Sequence, residues 1–289
     1  MNERVFAHLG AWLQREPVVL ASVLDTRGAT PRKRGARMLI GAADTEFSIG
    51  GGMAEARVIA AARGLLDQAQ AQAIVHIDLS GKAGAAGVCG GSMRLGLRRW
   101  QGADDLAQVQ QIARQLQAGQ QVPLTAADLG SESGDEILDP DPRLLIVGGG
   151  HCALALYQLA LYLDFDIWVF DPRAECFSQG QFASATCLWG GYGELARALQ
   201  TSRQIHAILL NRDFPSDVAA LEVLCQSPPQ FLSMMGSAKR IAQVRAALPE
   251  HKQALQILHA PVGLEIGAQT PHEIAVSILA QVIRQRNPE

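Results

Sequence analysis

Between Arg143 and Asp171 the chain passes from an apolar run through Gly148, Gly149 and Gly150 into a helical pattern, then into a second apolar run that ends on an acid. Very few architectures accept that order. Arg143 to Val147 has the short, unbroken apolar character of a strand buried on both faces. His151 to Leu163 has helical length, and Asp166 to Phe170 reads as a second strand. Two strands joined by a helix make a β-α-β unit, which demands a parallel sheet with covered faces. Gly148, Gly150 and Ala153 fit the G-x-G-x-x-A spacing of a dinucleotide-binding turn. The first glycine permits the turn, the second lets backbone approach a phosphate, and the small third residue lets helix and strand pack closely. The helix then offers unpaired N–H groups to an anion, and Asp171 stands where a ribose diol would be accepted. His151, at the helix mouth, can meet a ligand phosphate or a metal dithiolene, or serve as a local cap. The competing reading is a structural turn with no ligand.

Strand and helix patterns keep alternating beyond this unit. Strands fit at 185–188, 205–210 and 230–234, and helices at 194–200, 216–225 and 237–248. A last helix starts at Thr270, with Pro271 in its first position and Glu273 three residues past the cap. Two strand exits resemble ligand-facing edges. Arg212 and Asp213 follow one, where Arg212 can neutralise a phosphate and Asp213 can orient a ligand or hold the loop. Gly236 and Ser237 follow the other. Lys239 and Arg240 come next, in the first turns of a helix whose dipole disfavours cations there, so an anionic ligand would offset their cost.

The first half is mixed. Strands fit at 17–25, 36–41, 46–49, 73–79 and 93–97, with helices at 53–69 and 104–117. A polar stretch follows, with Glu132, Asp135, Glu136, Asp139 and Asp141 between Gly119 and Pro142. The expected fold class is therefore α/β: a smaller mixed α/β domain over 1–118, an acidic, proline-containing linker over 119–142, and a Rossmann-like parallel-sheet domain over 143–289.

Three loops of the first half carry chemistry. Arg27, Arg32, Lys33, Arg34 and Arg37 crowd one strand-turn, which can clamp phosphate or dock a partner. Gly50, Gly51 and Gly52 stand at a strand-to-helix switch, where exposed backbone N–H groups suit an anion, and Glu55 follows either as a site residue or as a cap. Cys89 lies between glycines in Gly87 to Gly91, accessible to a bulky ligand or holding a tight turn.

Composition narrows the function classes. With 25 basic and 28 acidic residues the formal charge is −3, which gives no general attraction to nucleic acid or an anionic membrane. No stretch has membrane-spanning length, and the first residues lack the apolar core of a secretory signal. The five cysteines form no C-x-x-C pair, so reduced thiols in the cytoplasm are expected.

In combination, these stretches resemble the XdhC/CoxI family, the accessory proteins of xanthine dehydrogenase and related molybdenum hydroxylases. The resemblance rests on VLASVLDTRGATPRKRGARMLIG, SIGGGMAE and GVCGG in the first half, and on LLIVGGGHCA, IWVFDPR, MMGSAKR and PVGLEIGAQTPHEIAVSILAQVI in the second. It implies a chaperone that binds molybdenum cofactor in its molybdopterin form as cargo. The cargo is held while a cysteine desulfurase supplies the terminal sulfur, then inserted into a xanthine dehydrogenase-type apo-hydroxylase, with no turnover by the chaperone itself. A homodimer is also expected, and neither nucleic acid nor membrane is a partner. By the same resemblance, Gly50, Gly51, Gly52, Glu55 and Cys89 match the first-half motifs, Gly148, Gly150, His151 and Asp171 the Rossmann-like motif, and Gly236 and Ser237 a later loop. Arg212 stands where the family usually has histidine, before Asp213. Arg34 and the basic turn complete the expected cofactor-binding set. Two alternatives remain: an NAD(P)- or nucleotide-dependent enzyme using the crevice, and a non-binding assembly scaffold.

Overall fold

The computed structural model describes residues 1–287, which divide into two compact units meeting between Pro140 and Asp141. The first unit contains α1 (Asn2–Leu13), β1 (Val18–Arg27), β2 (Arg37–Ile40), β3 (Thr45–Phe47), α2 (Gly52–Asp67), β4 (Gln72–Asp78), β5 (Ser92–Trp100), α3 (Gly102–Gln117), β6 (Val122–Leu124) and β7 (Glu136–Leu138). The first five strands form one antiparallel sheet in the order β3-β2-β1-β5-β4. Alternation along the strands sends Val19, Ala21, Met38 and Leu95 against Val58 and Ala62 of α2. The opposite face sends Leu20, Leu39 and Trp100 against Phe6 and Leu9 of α1 and Val109 and Ile112 of α3. The sheet is thus sandwiched between helices. Helix α1 has no counterpart in the sequence reading, although Val5, Phe6, Leu9 and Leu13 mark one helical face and are all buried.

The expected linker at 119–142 needs correction. Up to Pro140 it is packed structure of the first unit. β6 and β7 pair antiparallel around a short 3₁₀ turn at Ala127–Leu129, and Val122, Leu124, Leu129 and Leu138 enter the α1–α3 core. Several acids of the segment are engaged in bonds within the first unit. Asp128 accepts from the backbone and hydroxyl of Thr125, at 3.0 and 2.8 Å, and Asp135 accepts from the backbone of Ala126 at 2.8 Å. Glu136 accepts at 2.7 Å from Arg37, which is only 1% exposed.

The second unit contains β8 (Arg143–Val147), α4 (His151–Ala160), β9 (Asp166–Phe170), β10 (Thr186–Leu188), α5 (Gly193–Ala198), β11 (Ile205–Leu209), α6 (Phe214–Leu224), β12 (Phe231–Met234), α7 (Ala238–Ala247), β13 (Leu258–His259) and α8 (Pro271–Arg286). Every strand pair is parallel and the order is β10-β9-β8-β11-β12-β13. Leu144 and Ile146 pack toward α4 and α8, while Leu145 and Val147 pack toward α5, α6 and α7. This is the doubly wound Rossmann arrangement. Its strand order reverses between β8 and β11, which opens a crevice at the carboxyl ends of those strands.

Candidate functional site

The exits of β8, β9, β11 and β12 converge on that crevice. Gly148 turns at φ +104°, and a Cβ there would lie 2.9 Å from Asn211 Oδ1 and 3.0 Å from the Leu210 carbonyl carbon. Only glycine lets β8 leave so close to the β11 exit. Gly150 caps α4, and the N–H groups of the first helical turn have no intrahelical acceptors.

Asp171 is 2% exposed and has no free acceptor position. Its Oδ2 accepts from Gly149 N at 2.7 Å and Arg173 Nη2 at 2.8 Å, and its Oδ1 from Arg173 N and Nε at 2.9 Å each. Burial pushes this carboxyl up, but the bonds from Arg173 and Gly149 outweigh it and hold the group down to about 2. The carboxylate thus locks the glycine turn. A ribose diol could be accepted here only if the exposed Arg173 side chain moved away.

Arg212 donates to His151 Nδ1 at 2.8 Å. A guanidinium has no acceptor, so His151 Nδ1 must accept and the imidazole proton sits on Nε2. The Arg212 guanidinium also lies over Gly150, with Nε 3.5 Å from where a Cβ would stand. These two exposed side chains therefore frame the helix mouth together. Asp213 and Ser237 are helix caps: Asp213 accepts from Ser216 N and Oγ at 2.9 Å, and Ser237 Oγ accepts from Arg240 N at 3.3 Å. Bonds from Ser216 keep the Asp213 carboxyl below its usual range.

Arg240 does not wait for an anionic ligand. It pairs with Asp217, which is fully buried, donating from Nε at 2.6 Å, and its Nη2 donates to the carbonyls of Asn211 and Asp213 at 3.1 and 2.9 Å. Burial pushes the Asp217 carboxyl up against the pull of Asn211 and Arg240. Sequence reasoning gave no individual role to Asp217, Asn211 or Arg173. The available signal for Asp217 was an acid in the first turn of α6, a residue type that usually faces water.

In the first unit the three expected loops come together at one end of the sheet. A Cβ on Gly50 would lie 2.8 Å from Pro31 Cβ, and one on Gly91 would lie 3.0 Å from the Ala29 carbonyl carbon. The basic turn is therefore wedged between the glycine turn before α2 and the loop that carries Cys89. Glu55 organises the former: its Oε2 accepts from Ser48 Oγ at 2.7 Å, Gly51 N at 3.0 Å and Ile49 N at 3.2 Å. Gly52 has open space around it. Arg32, Lys33, Arg34 and Cys89 are exposed, whereas Arg37 is withdrawn into the core by Asn2, Gly35 and Glu136. Among the described residues no group of three or more His, Cys, Asp or Glu side chains is arranged to hold a metal ion, and no helix is long and apolar enough to cross a membrane.

Comparison with known proteins agrees with this fold. A family model described as the XdhC Rossmann domain matches residues 144–282, and one described as the XdhC and CoxI family matches residues 11–78. YqeB of Escherichia coli K12 is 28% identical over 281 residues, or 95% of this chain. A Bacillus subtilis protein named as a probable xanthine dehydrogenase subunit is 28% identical over 152 residues, or 52% of this chain. The matched region spans 44% of each relative's length. A crystal structure of a Bacillus halodurans protein described as a xanthine dehydrogenase has the same fold, with a TM-score of 0.83 at 23% identity, covering 100% of this chain and 96% of that one.

Proposed function

The chain belongs to the XdhC and CoxI family, and on that premise we propose that it carries molybdenum cofactor, in the molybdopterin form, for a xanthine dehydrogenase-type hydroxylase. In this reading the protein holds the cofactor while a cysteine desulfurase delivers the terminal sulfur, then hands it to the apo-hydroxylase. The observation that carries the reading is the convergence of the basic turn, the Gly50–Gly52 turn and the Cys89 loop at one end of the first sheet. That edge sets cations and backbone N–H groups, which suit an anionic cofactor, beside an accessible soft thiol, which suits its sulfur-rich metal centre. The nicotinamide alternative draws less support from the crevice, because Asp171 is committed to Gly149 and Arg173.

The test is anaerobic retention of molybdopterin-form cofactor, followed by pterin fluorescence and molybdenum content. Wild-type protein retains stoichiometric cofactor, and Cys89→Ala retains less. Cells lacking the protein accumulate hydroxylase polypeptide without active sulfurated cofactor. Full hydroxylase activity in such cells, or no retention by the wild type, would sink the proposal.

A further inference from the structure

The first unit holds a second polar feature, on the sheet face that packs α1 and α3. Helical cover on that face stops at Gly96, where the Leu129 carbonyl closes onto the strand and leaves no room for a side chain. Beyond that point two cross-strand rows lie open. Arg94 on β5 sits opposite Asp25 on β1 and His76 on β4, and Ser92 sits opposite Arg27 and Asp78. A β-bulge between Val23 and Asp25 restores this alternation, bringing Asp25 and Arg27 to the same side as Arg94. The rows line a groove of about 400 Å³, within the range of roughly 300–1,000 Å³ typical of small-ligand sites.

Its side chains are largely unspent. Opposed charges on neighbouring strands ordinarily pair, yet Asp25, Arg27, His76 and Arg94 take part in no side-chain hydrogen bond or ion pair among the described residues. Asp78 differs, because it accepts from Ser80 N and Oγ at 2.8 and 3.0 Å. Two guanidiniums without a protein partner suit an anionic group, and a carboxylate without one suits paired N–H donors.

We propose that this groove binds a phosphate-bearing 2-amino-4-oxopyrimidine heterocycle, with Arg27 and Arg94 on the phosphate and Asp25 on the amino-pyrimidinone edge. Pterin cofactors and guanine nucleotides share that chemistry. The assignment extends the carrier reading above by giving the pterin and phosphate end of the cargo a place outside the Cys89 loop. It is tested by calorimetric titration of the full chain with GMP, AMP and inorganic phosphate, then of Asp25→Asn and Arg94→Gln, with thermal melts as the folding control. GMP binds at least about tenfold tighter than AMP or phosphate, and each variant weakens GMP by about tenfold, as expected for loss of a charged hydrogen-bond partner. No GMP binding, equal affinity for AMP, or GMP affinity unchanged in both variants overturns the proposal. Retention of molybdopterin separates the two readings. If wild type and both variants retain it equally, the groove assignment fails and the carrier reading stands. If the wild type does not retain it while GMP shows the expected pattern, the carrier reading fails and the groove is a guanine-nucleotide site.

Discussion

His206 carries the most pronounced single-residue consequence. It is 3% exposed on β11, neither ring nitrogen has a hydrogen-bond partner, and Phe165 and Phe231 flank it. Burial, with the Arg286 charge added, pushes it down from 6.5 to about 4. The unfolded chain therefore takes up this proton first as pH falls. Stability from the neutral ring is present above pH 6.5 and is lost as pH falls toward 4, on the order of 3 kcal/mol. His206→Phe is expected to flatten that part of the acid limb in melts recorded between pH 7 and pH 4.5. Equal drops for both proteins would show that the ring does not set it. Asp171 makes the opposite kind of contribution, as a charged group. Its depressed value means stabilisation present above pH 3.8 and lost as pH falls toward about 2. Because its partner Arg173 is 59% exposed, the effect of Asp171→Asn is discounted to about 1–2 kcal/mol in denaturant titrations. The variant also loosens the glycine turn, so reduced ligand binding in it reports turn geometry as well as contact.

At the scale of elements, the turn after β8 and the start of α8 show how local chemistry fixes chain direction. Gly148→Ala combines a positive φ with a clash against the β11 exit. It should cost more than about 2 kcal/mol, read as a lower denaturation midpoint; a loss within error would mean the exit has room to shift. Helix α8 begins with a complete capping box, Glu273 N donating to Thr270 Oγ1 at 3.3 Å and Thr270 N to Glu273 Oε2 at 2.8 Å. Thr270→Ala should remove about 1 kcal/mol, since α8 contributes Ala275, Ile278 and Val282 to the core shared with α4. The box was readable in advance because every group in it lies within four residues. The β6–β7 pair was not, because its strands are three residues long and lie in a stretch rich in acids and turn residues.

For the molecule as a whole, the division after Pro140 predicts that residues 1–140 fold alone and residues 1–118 do not. The shorter fragment loses Leu124, Leu129 and Leu138 from the α1–α3 core. It also strands buried Arg37 without Glu136, which costs about 3–5 kcal/mol. Circular dichroism and melting of the two fragments decide this, and equal cooperative transitions would contradict it. The sequence by itself determined the β-α-β unit, the glycine turn that begins it and the parallel sheet it requires, because periodicity and turn chemistry act over a few neighbouring residues. It also marked the basic, glycine and Cys89 loops as unusual. Only the tertiary structure decided which charges are free. Arg37 and Arg240 look like ligand cations in sequence but are drawn to Glu136 and Asp217, 99 and 23 residues away. Asp25, Arg94 and His76 look like ordinary strand residues, yet strand register sets them side by side without a side-chain partner among the described residues. Desolvation and pairing depend on distance in space, and a linear pattern carries no record of that distance.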